Sequence, residues 1–339
     1  MNKRQELMLN SKNRLQAQAD ILLNALGHKV DLTTMTAISS KVIDQRFYEV
    51  APSDFMAVIE GQNAFAEEIL TYKEYQVSGH IEDGILRGNS NVPRINKDDI
   101  AMDAVRIPIV DWAQGLQYNL IELSKATRSG NWSLVDMKEK ARLKKYQLLL
   151  QNIAFLGSEQ VSDVKGLLTQ SDVASNSTTI AKFIKDMSVN EFYTFISKIL
   201  ADYSTNSNST VMPDTFVMPM SDWLGLGVPL SETYPNTTKL EWLKKTFIDL
   251  TGNANFKIGY LAYCDKARNS HILDVGTGYN RYVLYRNDAD TLNMNIPLPY
   301  TTTIADTING FEYQAVAYSQ FSGCKAYRPQ EVLYFDHQL

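Results

Sequence analysis

The chain has 339 residues, 44% of them hydrophobic and 21% charged, with a net charge of −5. That balance excludes a disordered or collagen-like chain and lacks the overall basic character of a dedicated nucleic-acid binder. Its length allows one large domain or two smaller ones.

Residues 3–26 read as an amphipathic helix, with Leu7, Leu15, Ala19, Leu22, Leu23 and Leu26 near helical spacing and Gly27 as its stop. Through Lys29 this segment carries five basic and two acidic residues, which suits either a solvated helix or a basic arm that meets a partner subunit or DNA. Residues 42–60 are mixed and contain Pro52. Residues 69–77 are rich in β-branched and aromatic side chains and predict a strand, with 104–112 as its antiparallel partner. Between them lies a glycine-rich, charged excursion too long for a tight turn.

Residues 134–156 predict the strongest helix. Leu134, Met137, Ala141, Leu148, Leu149, Ile153 and Leu156 form the expected buried stripe, Lys138, Lys140, Arg142, Lys144 and Lys145 the solvent face, and Gly157 the stop. A polar loop over 171–179 precedes a helix over 189–203. Ser188 and Glu191 form a capping box there, and Phe192, Phe195, Ile196 and Leu200 form its inner face. Residues 204–209 read as a polar surface loop, 214–219 as a buried strand ending in proline, and 238–247 as a third helix. Strands are expected at 281–285, 311–318 and 332–335, giving an α+β chain with mostly antiparallel strands.

Motifs that carry chemistry are sparse. Leu273-Asp274-Val275-Gly276-Thr277-Gly278 looks like the glycine-rich loop of S-adenosylmethionine-dependent methyltransferases. That loop needs a helix after its glycines. Here a third glycine is replaced by Asn280, and Tyr282-Val283-Leu284-Tyr285 reads as strand, so a turn between strands is the better reading. His28, His80, His271 and His337 have no ligand spacing, and no phosphate loop or nucleophile elbow occurs. Cys264 and Cys324 also lack metal-ligand spacing, so no disulfide framework is expected and the chain reads as made in a reducing cytoplasm. No signal-type N-terminus and no run of about 18 apolar residues is present, so no membrane span is expected. Catalytic residues, cofactor and metal are therefore all expected to be absent.

The order of these features resembles the major capsid proteins of tailed bacteriophages, whose Hong Kong 97-type fold is shared with encapsulin shells. The residues that carry the resemblance are Thr71-Tyr72 and Tyr75 entering the excursion, Val92-Pro93 after its tip, and Ile107-Pro108-Ile109 on the return. Tyr118, Leu120 and Glu122 follow, then the helix end Asn152 to Gly157 with Gly166-Leu167-Leu168. Further pieces are the strand Asp214 to Pro219, Thr237 to Lys245, Tyr285 to Asp288 with Ile296-Pro297, and Gly323 with Arg328-Pro329.

The resemblance implies an N-terminal arm over 1–60 and a peripheral domain over 61–162 and 311–339. That domain would hold an extended β-hairpin loop at about 70–110 and a spine helix at about 134–156. An axial domain would span 163–310. It further implies self-assembly into pentamers and hexamers of an icosahedral head enclosing double-stranded DNA, held non-specifically. Portal, scaffolding and decoration proteins are further candidate partners. The chain would be made in the bacterial host cytoplasm and reside in the virion. Glu82, Asp83, Arg87, Arg94, Lys97, Asp98 and Asp99 in the excursion are the expected inter-subunit contacts, against the plainer reading of a flexible loop. The alternatives are an encapsulin-type compartment shell and, from the 273–278 motif alone, a methyltransferase.

Overall fold

A computed structural model describes residues 46–75, 101–128, 134–231, 234–269 and 279–337. The chain divides into two units, 48–124 with 134–339 and 1–47 with 125–133. Nearly all the described residues belong to the first. The helix expected over 3–26 and the 273–278 turn lie outside the described residues.

Three sheets and a hairpin organise the larger unit. A five-stranded antiparallel sheet has the order β11 (Leu298–Thr302), β13 (Glu312–Ser322), β3 (Ala101–Asn119), β2 (Glu68–Tyr75), with β12 (Asp306–Thr307) beside β13. Its backbone is the 19-residue β3, which serves two partners in succession. Residues 101–108 pair with β2, from Tyr75 opposite Ala101 to Glu68 opposite Pro108. Residues 109–119 pair with β13, from Ser322 opposite Ile109 to Glu312 opposite Asn119. Pro108 falls at the handover, where its missing N–H interrupts neither ladder. Of the antiparallel pairing expected between 69–77 and 104–112, Ile69–Tyr72 opposite Ile107–Ala104 is present; the register continues to Ala101, and residues 109–112 pair with β13 instead.

A second five-stranded sheet has the order β4 (Ala174–Asn176), β15 (Val332–His337), β9 (Asn280–Tyr285), β5 (Thr215–Pro219), β8 (Lys257–Leu261). Its three inner strands are buried along their whole length, and period two divides them between two cores. Phe216, Met218, Tyr282, Leu284, Leu333 and Phe335 point to one side. There they meet α3 (Val189–Asn206) and α5 (Lys239–Thr251) through Phe192, Ile196, Leu243 and Phe247. Val217, Val283, Tyr285, Val332 and Tyr334 point to the other core, shared with Phe155 and Phe321. A three-stranded sheet, β1 (Ala57–Glu60), β10 (Leu292–Ile296), β14 (Cys324–Ala326), adds Met294 and Cys324 to that core. The hairpin of β6 (Pro229–Ser231) and β7 (Tyr234–Thr238) leads into α5.

The sheets cross the sequence boundaries expected at 162 and 310. β15 is paired with β4 and β9, while β10 and β11 pair with β14 and β13. Chain order alone hides this, because the last strand returns to the middle of the second sheet.

α1 begins at Leu120, directly after β3, and α2 spans Leu134–Leu156. Gly157 ends α2 with φ +88°; an added Cβ there would lie 2.4 Å from the carbonyl oxygen of Val164. The buried face of α2 keeps Ile153 and Leu156 of the expected stripe but departs from it in the first half of the helix. There Arg142 and Tyr146 are buried, whereas Met137 and Ala141 are exposed. From Ile153 to Leu156 the helix is buried on all sides. Two apolar stripes therefore coexist along α2, and the sheet takes the one that contains an arginine.

α3 keeps its capping box: the Glu191 carboxylate accepts from the Ser188 N–H at 2.8 Å and from its hydroxyl at 2.7 Å. Ile199 and Tyr203, rather than Leu200, complete its most buried face. The expected surface loop at 204–209 is shorter, because α3 runs on to Asn206 and Ser207 is buried. The short helices α4 (Met220–Trp223) and α6 (Lys266–Asn269) complete the order.

Candidate assembly surface

The seven charged residues expected at subunit contacts, Glu82, Asp83, Arg87, Arg94, Lys97, Asp98 and Asp99, lie outside the described residues. The structure describes the base from which their segment departs. On β2, Leu70 and Tyr72 are exposed, Tyr72 by 62%. Arg106 of β3 and Glu68 of β2 approach to 3.8 Å with both side chains largely solvated, a pair worth little to stability. A cleft of about 760 Å³ is lined by Ile69 and Tyr72 of β2 together with Ile59, Asn293 and Asn295 of the three-stranded sheet and Tyr327.

The base is anchored by the junction of α2 with the first sheet. The Arg142 guanidinium is 4% exposed. It donates to the carbonyls of Gln114 at 3.1 Å and Ala315 at 2.9 Å, to the Tyr300 hydroxyl at 3.1 Å, and to Glu139. Tyr300 in turn donates to Glu139 at 2.7 Å. One side chain of α2 thus ties β3, β11 and β13 together. Trp112, Tyr146 and Tyr300 pack as an aromatic cluster with centroids 5.0–6.0 Å apart, and the Tyr146 hydroxyl meets Ser319 at 2.8 Å.

The second sheet has its own polar locks. Arg281 and Asp336 form a buried bidentate pair at 2.6 and 2.7 Å across β9 and β15. Asp222 is wholly buried. It accepts from the N–H groups of Ile184 and Lys185 and from the Tyr282 hydroxyl at 2.8–2.9 Å. Burial raises its pKa against the opposing pull of these donors. Such arrangements position backbone.

Cys264 and Cys324 are both buried, and burial raises both thiols, that of Cys324 to about 12. Neither has the exposure or lowered pKa of a nucleophile. Among the described residues no group of three or more His, Cys, Asp or Glu could hold a metal, and no helix is long and apolar enough to cross a membrane.

Sequence reasoning missed Arg142, which it placed on the solvent face, and Asp222. The available signal for Arg142 was its spacing from Tyr146 and Ile153 on a single helical face.

This architecture is a spine helix laid on a long sheet with a hairpin base at one end, beside a second sheet sandwiched between two cores. It is the Hong Kong 97-type capsid fold. The capsid of Myoviridae phage XM1 matches with a TM-score of 0.74 and 18% identity, covering 92% of this chain and 100% of that one. The capsid of a native GTA particle matches at 0.59 and 9% identity, covering 91% and 97%. Mycobacterium phage Bobi matches at 0.56 and 9% identity, covering 90% and 95%. At these identities the likeness is one of fold. No curated protein matches. The model of the major capsid protein family matches residues 84–337, and the chain belongs to that family. As a major capsid protein it is a structural subunit that assembles with copies of itself into a capsid, and its place is the virion.

Proposed function

We propose that copies of this chain assemble into pentamers and hexamers that close an icosahedral head around double-stranded DNA. The family match over 84–337, together with the capsid fold, carries this reading. In this reading the segment between β2 and β3 reaches over a neighbouring subunit, and its mixed charges, Glu82, Asp83, Arg87, Arg94, Lys97, Asp98 and Asp99, make lateral contacts. Each such pair is worth little alone but is repeated throughout a closed shell. The peripheral domain comprises the first sheet and α2. The axial domain comprises the second sheet with α3 and α5, and includes β15, because that strand is hydrogen-bonded to β9. The N-terminal arm is drawn from 1–60, of which β1 (Ala57–Glu60) is part of the three-stranded sheet. DNA is held without sequence preference, portal, scaffolding and decoration proteins are the further partners, and the chain is made in the bacterial host cytoplasm and catalyses no reaction.

Negative-stain electron microscopy of the purified chain, with sedimentation alongside, tests the reading. Closed particles or rings of five and six subunits are expected. A discrete dimer that binds a small ligand would overturn it.

A further inference from the structure

The link between β1 and β2 combines two features that the folding of a single copy does not explain. Phe65 has a left-handed backbone, φ +65°. Sterics disfavour that region for a bulky side chain. Yet the residue is 76% exposed, so among the described residues no burial offsets the strain. Gly61 and Asn63 share the conformation, at φ +73° and +59°, but both residue types tolerate it.

The link is also held fast. The Phe65 N–H donates to Gln320 Oε1 at 2.7 Å, and Gln320 Nε2 donates to Asp111 Oδ1 at 2.6 Å. The Gly61 N–H donates to the Ile296 carbonyl at 3.0 Å, and the Ile109 N–H to that of Glu67 at 3.1 Å. Gln320 belongs to β13 and Asp111 to β3, so the strained turn is pinned to the first sheet. A strained backbone that its surroundings enforce, and that presents an aromatic ring to solvent, is the pattern of a contact prepared in advance. Exposed Leu70 and Tyr72 follow on β2 and lead into the excursion.

We propose that Phe65 is a fixed anchor that buries its ring against a second copy of this chain when the shell assembles. The proposal rests on the shell reading: the family assembles from copies of one chain, so a second copy is the partner always at hand. Pinning through Gln320 removes the ordering cost of the contact before the copies meet.

Phe65→Gly and Phe65→Asn test it, because both residues suit this backbone while lacking the ring. The free chain of either variant should unfold at the same temperature as the wild type or higher. The concentration for half-maximal assembly, read by sedimentation velocity of the full chain, should rise about tenfold or more, as for an aromatic hot spot. With p-benzoylphenylalanine in place of Phe65, irradiation of assembled shells should crosslink two chains. Variants that assemble like the wild type, or a crosslink confined to one chain or directed to a different virion protein, overturn the anchor and leave the shell reading intact. Parallel loss of stability and assembly would make Phe65 a structural residue and also overturn it. A wild-type chain that forms no particles overturns both readings.

Discussion

At the scale of single residues, the most consequential side chain is Arg142. Its charge is removed from water, and four acceptors from three strands and its own helix compensate it. Arg142→Ala removes four hydrogen bonds from a charged donor at the junction of α2 with the first sheet and should cost about 2–4 kcal/mol by urea unfolding, since such bonds are the strong ones. Arg142→Lys should recover only part, because one ammonium cannot reproduce the guanidinium fork. Two other residues set the response to acid. Lys182 and Ser188 hold the Glu191 carboxyl at about 2, below its ordinary value of 4.5. Burial lowers the pKa of His337 below 6.5. In both cases the folded pKa lies below the unfolded one, so each contribution is present above the unfolded value and lost as pH falls. Thermal midpoints should therefore start to fall below about pH 6.5 through His337, and further below about 4.5 through Glu191. Glu191→Gln should flatten the second decline alone; an unchanged slope would show that the cap and the Lys182 pair contribute nothing in solution.

At the scale of elements, α2 shows how far periodicity reaches. Its ends were legible, because Gly157 supplies a left-handed stop and the apolar spacing fixes the period. Its inner face was legible only in part. Leu149, Ile153 and Leu156 of the expected stripe do meet the core, but Arg142 and Tyr146 take the place of Met137 and Ala141, and apolarity counts against an arginine. Only the carbonyls of β3 and β13, contributed from far along the chain, make that arginine the inward choice. Tyr146→Ala should accordingly cost about 3 kcal/mol or more through its cavity and lost Ser319 contact. Ala141→Glu should stay within about 0.5 kcal/mol by the same unfolding measurement. The reverse order would restore the face read from the sequence. The strands β5, β9 and β15 were legible for the opposite reason: buried on both faces, they read as continuous apolar runs. The three-residue strands β4 and β14 are too short for any period, and β10, as long as β5, carries the buried polar Asn293 and Asn295, which break an apolar run, so none was visible as a strand. The assembly surface was legible only as a charged excursion. Phe65 escaped notice because nothing in its neighbours announces a left-handed backbone.

At the scale of the whole molecule, the junction of sheets and spine is built from backbone in close contact. A Cβ on Gly166 would lie 2.3 Å from the Phe155 carbonyl carbon, and one on Gly323 would lie 2.2 Å from the Lys165 oxygen. The Tyr334 hydroxyl donates to the Leu167 carbonyl at 2.5 Å, and Gln170 Nε2 donates to the Cys324 carbonyl at 2.6 Å. The end of α2, the β13–β14 turn and the second sheet therefore meet at one tightly packed node. A shell subunit must transmit load between its sheets, and a node packed this closely transmits strain instead of absorbing it. Gly323→Ala should abolish cooperative folding, whereas Gly227→Ala, with nothing within 4 Å of its added Cβ, should not. The excursion between β2 and β3 obeys the opposite logic. Its charged sequence offers little apolar surface to bury, so the chain's own core should not depend on it. Deleting 82–100 should leave the unfolding midpoint of the free chain nearly unchanged while preventing closed shells under conditions where the intact chain forms them. Normal shells from the deletion would locate the lateral contacts elsewhere, and loss of folding would mean that the excursion packs on its own chain.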